Sequence, residues 1–404
     1  MAESTRLPPL QGVRILDMAT VVAAPFSSTL CADLGAEVIK LELPAGGDAL
    51  RSLAPVWEGH ELFWKTGNRG KQGITLDVRK PQGRALLLRM LPQFDVLVEN
   101  FRTGTLDKWG LDLNTLHAHN PRLIVLRVTG FGQTGPDADR PGFARVFEAM
   151  SGMTHLTGEP ERAPQHMNYP LGDAVAGLFG AFSIAAALAD RNRHPLPEQR
   201  GTEIDLSATE ALIRLLDPLA AEYQFTGQPR SREGSRATYT APSNVYQSQD
   251  GQWVTIVGTG NSIFERIANA LGQPELIQDP RFDNNLNRTR HRLALDALIA
   301  EWCRARHMRD IVEQLERHQV PHSQVNSVAD AMAHPHLQAR HAFIDLPDPD
   351  LGHVKAPGIV PRFQHVETPP PVTGPARGQH NDAFYGALGL SADEMKRLGD
   401  EGVI

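Results

Sequence analysis

Cysteine is scarce in this 404-residue sequence, which contains only Cys31 and Cys303. Two cysteines cannot form a disulfide framework and match no metal-binding spacing, so both structural types are excluded. So few cysteines are typical of proteins from a reducing compartment. The first residues also lack the apolar stretch of a secretory signal. We therefore expect a cytoplasmic protein.

Basic residues are fewer than acidic ones. The chain has 40 Lys and Arg against 47 Asp and Glu, a formal net charge of −7, and no long basic run. This balance argues against nucleic acid or an anionic membrane as a partner. Apolar residues make up 41% of the chain, which is ordinary for a globular protein, and its length favours two domains.

Three common catalytic patterns are missing. The turn at residues 17–25 has no glycine, which argues against a nicotinamide-dinucleotide site after the first predicted strand. The spacing of His334, His336 and His341 fits no metal site, so we expect no bound metal. Ser151 lies outside any nucleophile-elbow pattern, which excludes that type of serine chemistry.

Short β-branched runs alternate with helical patterns in the first two hundred residues, which predicts βαβ units and a mostly parallel sheet. The predicted strands are residues 13–16, 37–41, 74–78, 96–98, 123–128 and 203–206. The predicted helices between them are residues 25–34, 81–92 and 113–119.

The second half of the chain has a different pattern of predicted elements. A long helix over residues 207–224 and a Gly-, Ser- and Arg-rich linker precede a hairpin signal at Asp250-Gly251. Helices follow at 263–271, 292–304, 308–318 and 328–332, with a strand at 321–325. Beyond about residue 341 we expect irregular, proline-rich chain and a last helix at 392–398. The predicted domains are a large α/β domain (1–206), a linker (207–239), a small α+β domain (240–335) and a return segment (336–404).

One apolar run stands out, because residues 174–189 are uncharged and mostly small, with Asp173 directly before them. Such a run predicts a helix buried on all sides, since it is shorter than the roughly 20 residues of a membrane span. At the helix start, Asp173 could act as an N-cap that accepts backbone N–H bonds. It could also be a carboxylate nucleophile. The residues alone leave both interpretations open.

Two other segments are candidates for anion binding. Residues 65–80 carry five basic residues and one acidic residue, which fits either an anion site or a solvated loop. Residues 100–104 follow a predicted strand, where open α/β sheets bind their ligands. Their amide, aromatic and guanidinium groups suit an adenine or a phosphate.

Several stretches together resemble the family III CoA-transferases, also called the CaiB/BaiF family. They occur in the family's order along nearly the whole chain, at residues 10–17, 32–42, 68–71, 76–79, 97–102, 130–136, 172–173 and 279–282. The resemblance implies a Rossmann-like large domain that binds CoA, with an inserted small α+β domain. It also implies a homodimer of interlocked rings, each chain threaded through the other.

The resemblance also assigns roles to residues. Asp173 would be the nucleophile, forming a mixed anhydride and then an aspartyl-CoA thioester, with CoA thioesters as substrates and no permanently bound cofactor. The residues expected to contact CoA are Val22, Ala23, Leu76, Asp77, Val78, Arg79, Asn100, Phe101, Arg102 and Lys108. Formyl-CoA transferases of this family have glutamine and arginine where this chain has Val22 and Leu43, so formate and oxalate are disfavoured as substrates. Residues 258–261 would be a short counterpart of the family's intermediate-shielding loop.

Arg145 suggests the substrate class. Its guanidinium could hold a second, non-reacting carboxylate, although pairing with Glu148 one helical turn away is an alternative. We therefore expect succinyl-CoA as donor and glutarate, itaconate, malate, citramalate or mesaconate as acceptor. A racemase of α-methylacyl-CoA is an alternative, disfavoured because residues 142–145 contain no histidine base. A non-catalytic CoA-binding protein is a further alternative, against which the Gly172-Asp173 motif argues.

Overall fold

The computed structural model describes residues 6–366, 368 and 370–404. Its chain divides into two compact units. The first contains the chain up to Met153, Met167–Ala221 and Gln338–Ile404, and the second contains Thr154–His166 and Glu222–Leu337. The first unit holds a hydrophobic core on each side of its central sheet, and the second unit has a core of its own.

A parallel sheet forms the centre of the first unit. Eight strands occur in residues 6–207: β1 (Arg14–Asp17), β2 (Glu37–Glu42), β3 (Val56–Trp57), β4 (His60–Glu61), β5 (Lys71–Thr75), β6 (Val96–Glu99), β7 (Ile124–Thr129) and β8 (Glu203–Ser207). Six of them pair in the order β5-β2-β1-β6-β7-β8, with every neighbouring pair parallel. The predicted parallel sheet is confirmed, while β3 and β4 form a separate small hairpin.

Helices connect these strands. Up to residue 226 they are α1 (Ala23–Asp33), α2 (Leu62–Gly67), α3 (Pro81–Met90), α4 (Thr105–Lys108), α5 (Leu113–His119), α6 (Ala144–Ser151), α7 (Met153–Leu156), α8 (Leu171–Arg191), α9 (Ala208–Arg214) and α10 (Leu219–Thr226). Short 3₁₀ helices lie at Ala49–Ser52, Leu91–Gln93, Leu196–Glu198 and Pro274–Gln278. The single predicted helix over 207–224 is wrong. Pro218 lies between α9 and α10, and proline cannot continue a helix because it lacks the backbone N–H.

The second unit is built on a three-stranded antiparallel sheet. Its elements are β9 (Ser243–Gln247), β10 (Trp253–Val257), α11 (Asn261–Leu271), α12 (Asn285–Arg290), α13 (Arg292–Arg304), α14 (Met308–Arg317), β11 (His322–Gln324), α15 (Val328–Ala333) and α16 (Pro335–Ala339). The predicted hairpin is confirmed, since β9 and β10 pair antiparallel across Asp250-Gly251. Buried apolar residues of β10, such as Val254 and Ile256, share a core with α11, α13 and α14.

The C-terminal segment is more regular than its prolines indicate. It forms β12 (Phe343–Asp348), β13 (Gly352–Pro357), α17 (Asn381–Ala387) and α18 (Ala392–Asp400). The prediction of irregular chain after residue 341 is therefore wrong for residues 343–357 and 381–387, whereas the predicted last helix is confirmed by α18. In the pair β12–β13, Pro347 lies opposite His353 and Pro357 lies opposite Phe343. A strand with only one neighbour tolerates proline, because its other edge needs no N–H donor.

The sheet reverses its strand order between β1 and β6, and open α/β sheets bind ligands at such a switch point. The loops that follow the two strands are joined by the side chain of Asn100. Its Oδ1 accepts the Thr20 N–H at 2.8 Å, and its Nδ2 donates to the Thr20 carbonyl at 2.8 Å. The side-chain amide of Asn100 therefore links the two loops on either side of the crevice.

Glycines let α8 approach its neighbours closely. A Cβ atom on Gly172 would lie 2.9 Å from the Ala144 carbonyl oxygen of α6, and one on Gly177 would lie 2.7 Å from the Ala23 carbonyl oxygen of α1. A Cβ atom on Gly180 would lie 2.9 Å from the Ser27 Cβ of α1. These distances are shorter than real Cβ contacts, so only glycine fits at the three positions.

The helix α8 has 21 residues, and an 18-residue stretch of it has a mean hydropathy of 1.7, so it is long and apolar enough to cross a membrane. Core helices of globular proteins can be equally long and apolar, and α8 packs on α1, α6, α9 and the parallel sheet. The predicted burial on all sides is wrong, because Leu178 and Phe182 are 60% and 70% exposed.

We predict that Gly177→Ala destabilises the protein by roughly 1–3 kcal/mol, because the added methyl group forces α8 away from α1. The matched control is Gly386→Ala in α17, where a Cβ atom would meet open space. That change should stabilise by about 0.5–1 kcal/mol through lower backbone entropy of the unfolded chain. Calorimetric unfolding checks both signs, and equal stability of Gly177→Ala and the original protein would contradict the packing argument.

Candidate active site

Asp173 is the third residue of α8 and is only 8% exposed. The N-cap interpretation is wrong, because Pro170 occupies the N-cap position of this helix and Asp173 is its third residue. Within the part of the chain that the structure describes, the Asp173 carboxylate makes no hydrogen bond or ion pair. A buried carboxylate without a partner is costly, which is typical of a reactive group rather than a structural one.

The Asp173 side chain faces a cavity of about 230 Å³. This cavity, called the Asp173 cavity below, lies at the C-terminal ends of β1, β6 and β7, at the switch point of the sheet. Its lining comes from residues 20–23, 100–102, 128–130, 138 and 140–143, together with Phe147, Asp173 and Ala208. Open α/β sheets bind their ligands at this place, so the cavity is the candidate active site.

Two effects raise the pKa of Asp173 to about 6. Burial removes the water that would stabilise the carboxylate, and the negative charge of Glu148 adds to the effect. Glu148 is itself buried, and its Oε1 accepts the Gly172 N–H at 3.0 Å. At neutral pH Asp173 is therefore mostly ionised yet poorly solvated, which increases its nucleophilicity.

Buried charges support the loop that forms one wall of the cavity. Asp17 at the end of β1 is fully buried, with Oδ2 2.8 Å from Lys71 Nζ and 2.6 Å from Ser28 Oγ. Lys40 Nζ lies 3.6 Å from Asp17 Oδ1 and 3.1 Å from Asp48 Oδ2, and it donates to the Ala19 carbonyl. Two carboxylates and two ammonium groups thus form a neutral cluster beneath the loop.

This cluster holds a strained residue at the cavity. Val21 has φ of 65°, a left-handed conformation that β-branched residues rarely adopt. Its N–H donates to Asp48 Oδ1 at 2.9 Å, so the buried carboxylate fixes the turn. Although burial disfavours its charge, Lys40 has a raised pKa because Asp17 and Asp48 stabilise the ammonium form. Burial, helped by the neighbouring Lys40 charge and opposed by Asp17, lowers the pKa of Lys71 to about 8.

The residues expected to contact CoA fall into two groups. Val22, Ala23 and residues 100–102 line the Asp173 cavity itself. Lys108 is exposed on α4, and residues 76–79 follow β5 further along the sheet edge. The second group is therefore separate from the cavity lining.

Residues 76–79 differ in what they can offer a ligand. The side chains of Leu76 and Val78 are buried in the hydrophobic core, so only their backbone groups could contact CoA. Asp77 is bound by the exposed Arg79, with Nε 2.8 Å from Oδ1 and Nη2 2.9 Å from Oδ2. The pKa of Asp77 is lowered by this contact.

Arg145 lies on α6 with an exposed side chain and is not among the residues that line the cavity. The structure instead brings Arg140, Phe143 and Phe147 to Asp173, and none of these was predicted from the sequence. The rule applied to residues 100–104 would have indicated the loop that contains Arg140, since this loop follows β7 as theirs follows β6.

A second, mostly apolar cavity of about 310 Å³ adjoins the first, and the two share Val21 and Val22. Its other lining residues include Phe26, Leu50 and Tyr169. Burial, together with the charge of Asp173, raises the pKa of Tyr169. This cavity offers space for an apolar part of a ligand next to the carboxylate.

No group of three or more His, Cys, Asp and Glu residues that could hold a metal ion occurs in residues 6–366, 368 and 370–404. In the second unit, the buried Arg288 donates to the carbonyl oxygens of Ala241, Thr259 and Phe282 and to Asn261. The segment 258–261, expected to shield an intermediate, is thereby anchored by one guanidinium.

We predict that Asp173→Asn stabilises the protein at pH 8 and has no such effect at pH 4. The folded-state pKa of about 6 exceeds the ordinary value of 3.8, so ionisation of Asp173 disfavours folding above pH 6. This penalty, at most roughly 3 kcal/mol, disappears as the pH falls through 6 towards 4. Thermal unfolding at both pH values checks it, and a pH-independent difference between the two proteins would contradict the raised pKa.

Comparison with known proteins agrees with this geometry. The model of CoA-transferase family III matches residues 10–381. The chain is 40% identical to the succinyl-CoA–D-citramalate CoA-transferase of Chloroflexus aurantiacus, over 98% of both chains. It is 33% identical to the succinate–glutarate CoA-transferase of Agrobacterium fabrum, over 93% of this chain and 95% of that one.

A solved structure gives the same result for the fold. The CaiB/BaiF family protein from Brucella suis superposes with a TM-score of 0.82 at 33% identity, covering 95% of this chain and 100% of the other. The mixed α/β architecture with a parallel central sheet is shared with that neighbour. With an ionised carboxylate at the switch point and a family match along nearly its whole length, this chain belongs to CoA-transferase family III.

Proposed function

We propose that this enzyme transfers CoA from succinyl-CoA to a dicarboxylic acid, with glutarate, itaconate, malate, citramalate or mesaconate as the candidate acceptors. The single observation that carries the proposal is the unpartnered, buried carboxylate of Asp173 in a cavity that two arginines, Arg102 and Arg140, also line. The named activities of the citramalate and glutarate relatives support the same substrate class.

The proposed reaction begins with attack of an Asp173 oxygen on the thioester carbonyl carbon. The C–S bond breaks, CoA leaves as a thiolate, and a mixed anhydride joins Asp173 to the donor acid. The thiolate then attacks the aspartyl carbonyl, which releases the donor carboxylate and forms an aspartyl-CoA thioester. The acceptor carboxylate attacks this thioester, which expels the CoA thiolate and forms a second mixed anhydride. The thiolate then attacks the acceptor carbonyl of that anhydride, which yields the CoA thioester of the acceptor and regenerates Asp173. No proton or external reductant is consumed, and each intermediate is about as activated as the substrate.

The placement of CoA is a second part of the proposal. Residues 100–102 and Val22-Ala23 would bind the pantetheine end, because they line the cavity with Asp173. Residues 76–79 and Lys108 would bind the nucleotide end. Arg79 and Lys108 are exposed cations near that edge of the sheet, and phosphate groups favour such contacts. The enzyme would hold no permanent cofactor.

A panel of acids tests the function. With succinyl-CoA as donor, we expect CoA thioesters of one or more of the five candidate acids, identified by mass, and much slower transfer to formate. Asp173→Asn should reduce the rate by roughly 10³-fold or more, since an amide cannot form the anhydride. Glu148→Gln is the matched control, because it keeps the acceptor for the Gly172 N–H. Full activity of Asp173→Asn, or transfer to none of the acids, would contradict the proposal.

We also propose an interlocked, cytoplasmic homodimer. An apolar patch made of Val146 and Met150 on α6, Leu178 and Phe182 on α8 and Ile213 on α9 is exposed in the single chain. These three helices pack against one another, so the exposed residues lie on neighbouring elements of the first unit. Monomeric proteins rarely expose such a surface, and a second copy of the chain would bury it.

Light scattering tests the assembly. We expect the mass of two 44.3 kDa chains across a wide range of protein concentrations, because interlocked rings cannot separate without unfolding. A mass of one chain at low concentration would contradict the interlocked dimer.

A further inference from the structure

Arg140 belongs to the loop between β7 and α6, and it lines the Asp173 cavity. The loop is fixed to its surroundings rather than free. Thr103 Oγ1 donates to the Ala138 carbonyl at 2.9 Å, and the Gln133 N–H donates to both Asp205 oxygens at 3.0 Å. The Arg140 guanidinium lies over the Phe131 ring, 5.3 Å from its centre. Arg140 thus lines the cavity of the nucleophile, and its guanidinium is held at a defined place by Asp137 and Phe131.

This guanidinium is available to a ligand. Among the described residues only its Nη1 donates to a side chain, that of Asp137 at 3.2 Å. The pair is exposed, with 52% of the Arg140 and 42% of the Asp137 side chain accessible, so the interaction is weak. The remaining donors of the planar fork match the geometry of a carboxylate. A ligand carboxylate can therefore replace Asp137 as the partner of the guanidinium at a small cost in free energy.

We propose that Arg140 binds the distal, non-reacting carboxylate of dicarboxylic substrates while their other carboxyl group reacts at Asp173. The assignment rests on the proposed function and names the residue that gives it its substrate class. This role was expected of Arg145 from the sequence, but Arg145 is exposed on α6 and does not line the cavity. The other guanidinium of the cavity, Arg102, adjoins Asn100 and Phe101 on the wall proposed for CoA.

The test compares succinyl-CoA with butyryl-CoA, which have the same chain length and differ in a terminal carboxylate or methyl group. Both are titrated into the Asp173→Asn enzyme by calorimetry, so that no turnover occurs. Adding Arg140→Gln should weaken binding of succinyl-CoA by about 10- to 100-fold, the contribution of a charged hydrogen-bonded pair. Binding of butyryl-CoA should change less than about twofold, because it contains no group for Arg140.

Arg145→Gln in the same Asp173→Asn background is the matched control, and it should leave both affinities unchanged. The inference is overturned if Arg140→Gln weakens both thioesters equally, which would make Arg140 a ligand of the CoA phosphates. It is also overturned if Arg140→Gln weakens neither, or if Arg145→Gln gives the selective loss.

A separate measurement distinguishes failure of the inference from failure of the proposed function. Turnover of the unmodified enzyme with succinyl-CoA and the five acids reports on the function alone. An active enzyme whose Arg140→Gln variant binds both thioesters normally would refute only the role of Arg140. An enzyme that binds succinyl-CoA through Arg140 but transfers CoA to none of the acids would refute only the function.

Discussion

Close contact between α8 and the helices α1 and α6 is the constraint on which the active site depends. Three positions on α8, Gly172, Gly177 and Gly180, leave no room for a Cβ atom, so the backbones meet directly. Because α1 starts at the cavity with Ala23 and Asp173 lies there in the first turn of α8, the separation of the two helices sets the position of the nucleophile. Burial of this carboxylate, together with the negative charge of Glu148 on α6, raises its pKa to about 6.

The opposite wall of the cavity depends on electrostatics rather than on small residues. Asp17, Lys40, Asp48 and Lys71 are nearly or fully buried, and each is stabilised by the others. Removal of one member would leave an unpaired buried charge, which typically costs 3–5 kcal/mol. This interdependence fixes the strained Val21, whose N–H is bound by Asp48. The enzyme accordingly has a rigid loop facing an unpartnered carboxylate.

The sequence was sufficient for the features that repeat along the chain. Alternating β-branched and helical patterns predicted the parallel sheet, and the order of motifs predicted the family, because both signals are local or collinear. The strand β5 was predicted three residues late, because Leu76 and Val78 are apolar and extend the strand pattern. In the structure the strand ends earlier, since the Asp77 N–H donates to the Val403 carbonyl instead of to a neighbouring strand. The pair β12–β13 was missed because its prolines normally argue against strands, although a two-stranded edge accepts them.

The site itself was only partly predictable. Asp173 could be found because it precedes an unusual apolar run, whereas Arg140 lies in an irregular loop that has no periodicity. Which of two arginines five residues apart reaches the cavity depends on how that loop folds back, a tertiary property. The exposed face of α8 was missed for a similar reason, since Leu178 and Phe182 give the same apolar pattern whether a neighbour covers them or not.

The central claim is that Asp173 carries CoA covalently during the reaction. Mixing the enzyme with succinyl-CoA in the absence of acceptor, followed by acid quenching and peptide mass spectrometry, tests this most directly. The account predicts that the peptide containing Asp173 gains the mass of one CoA less one water, and that adding an acceptor acid removes this adduct. CoA attached to another residue, or turnover with no covalent adduct at any time, would contradict the account.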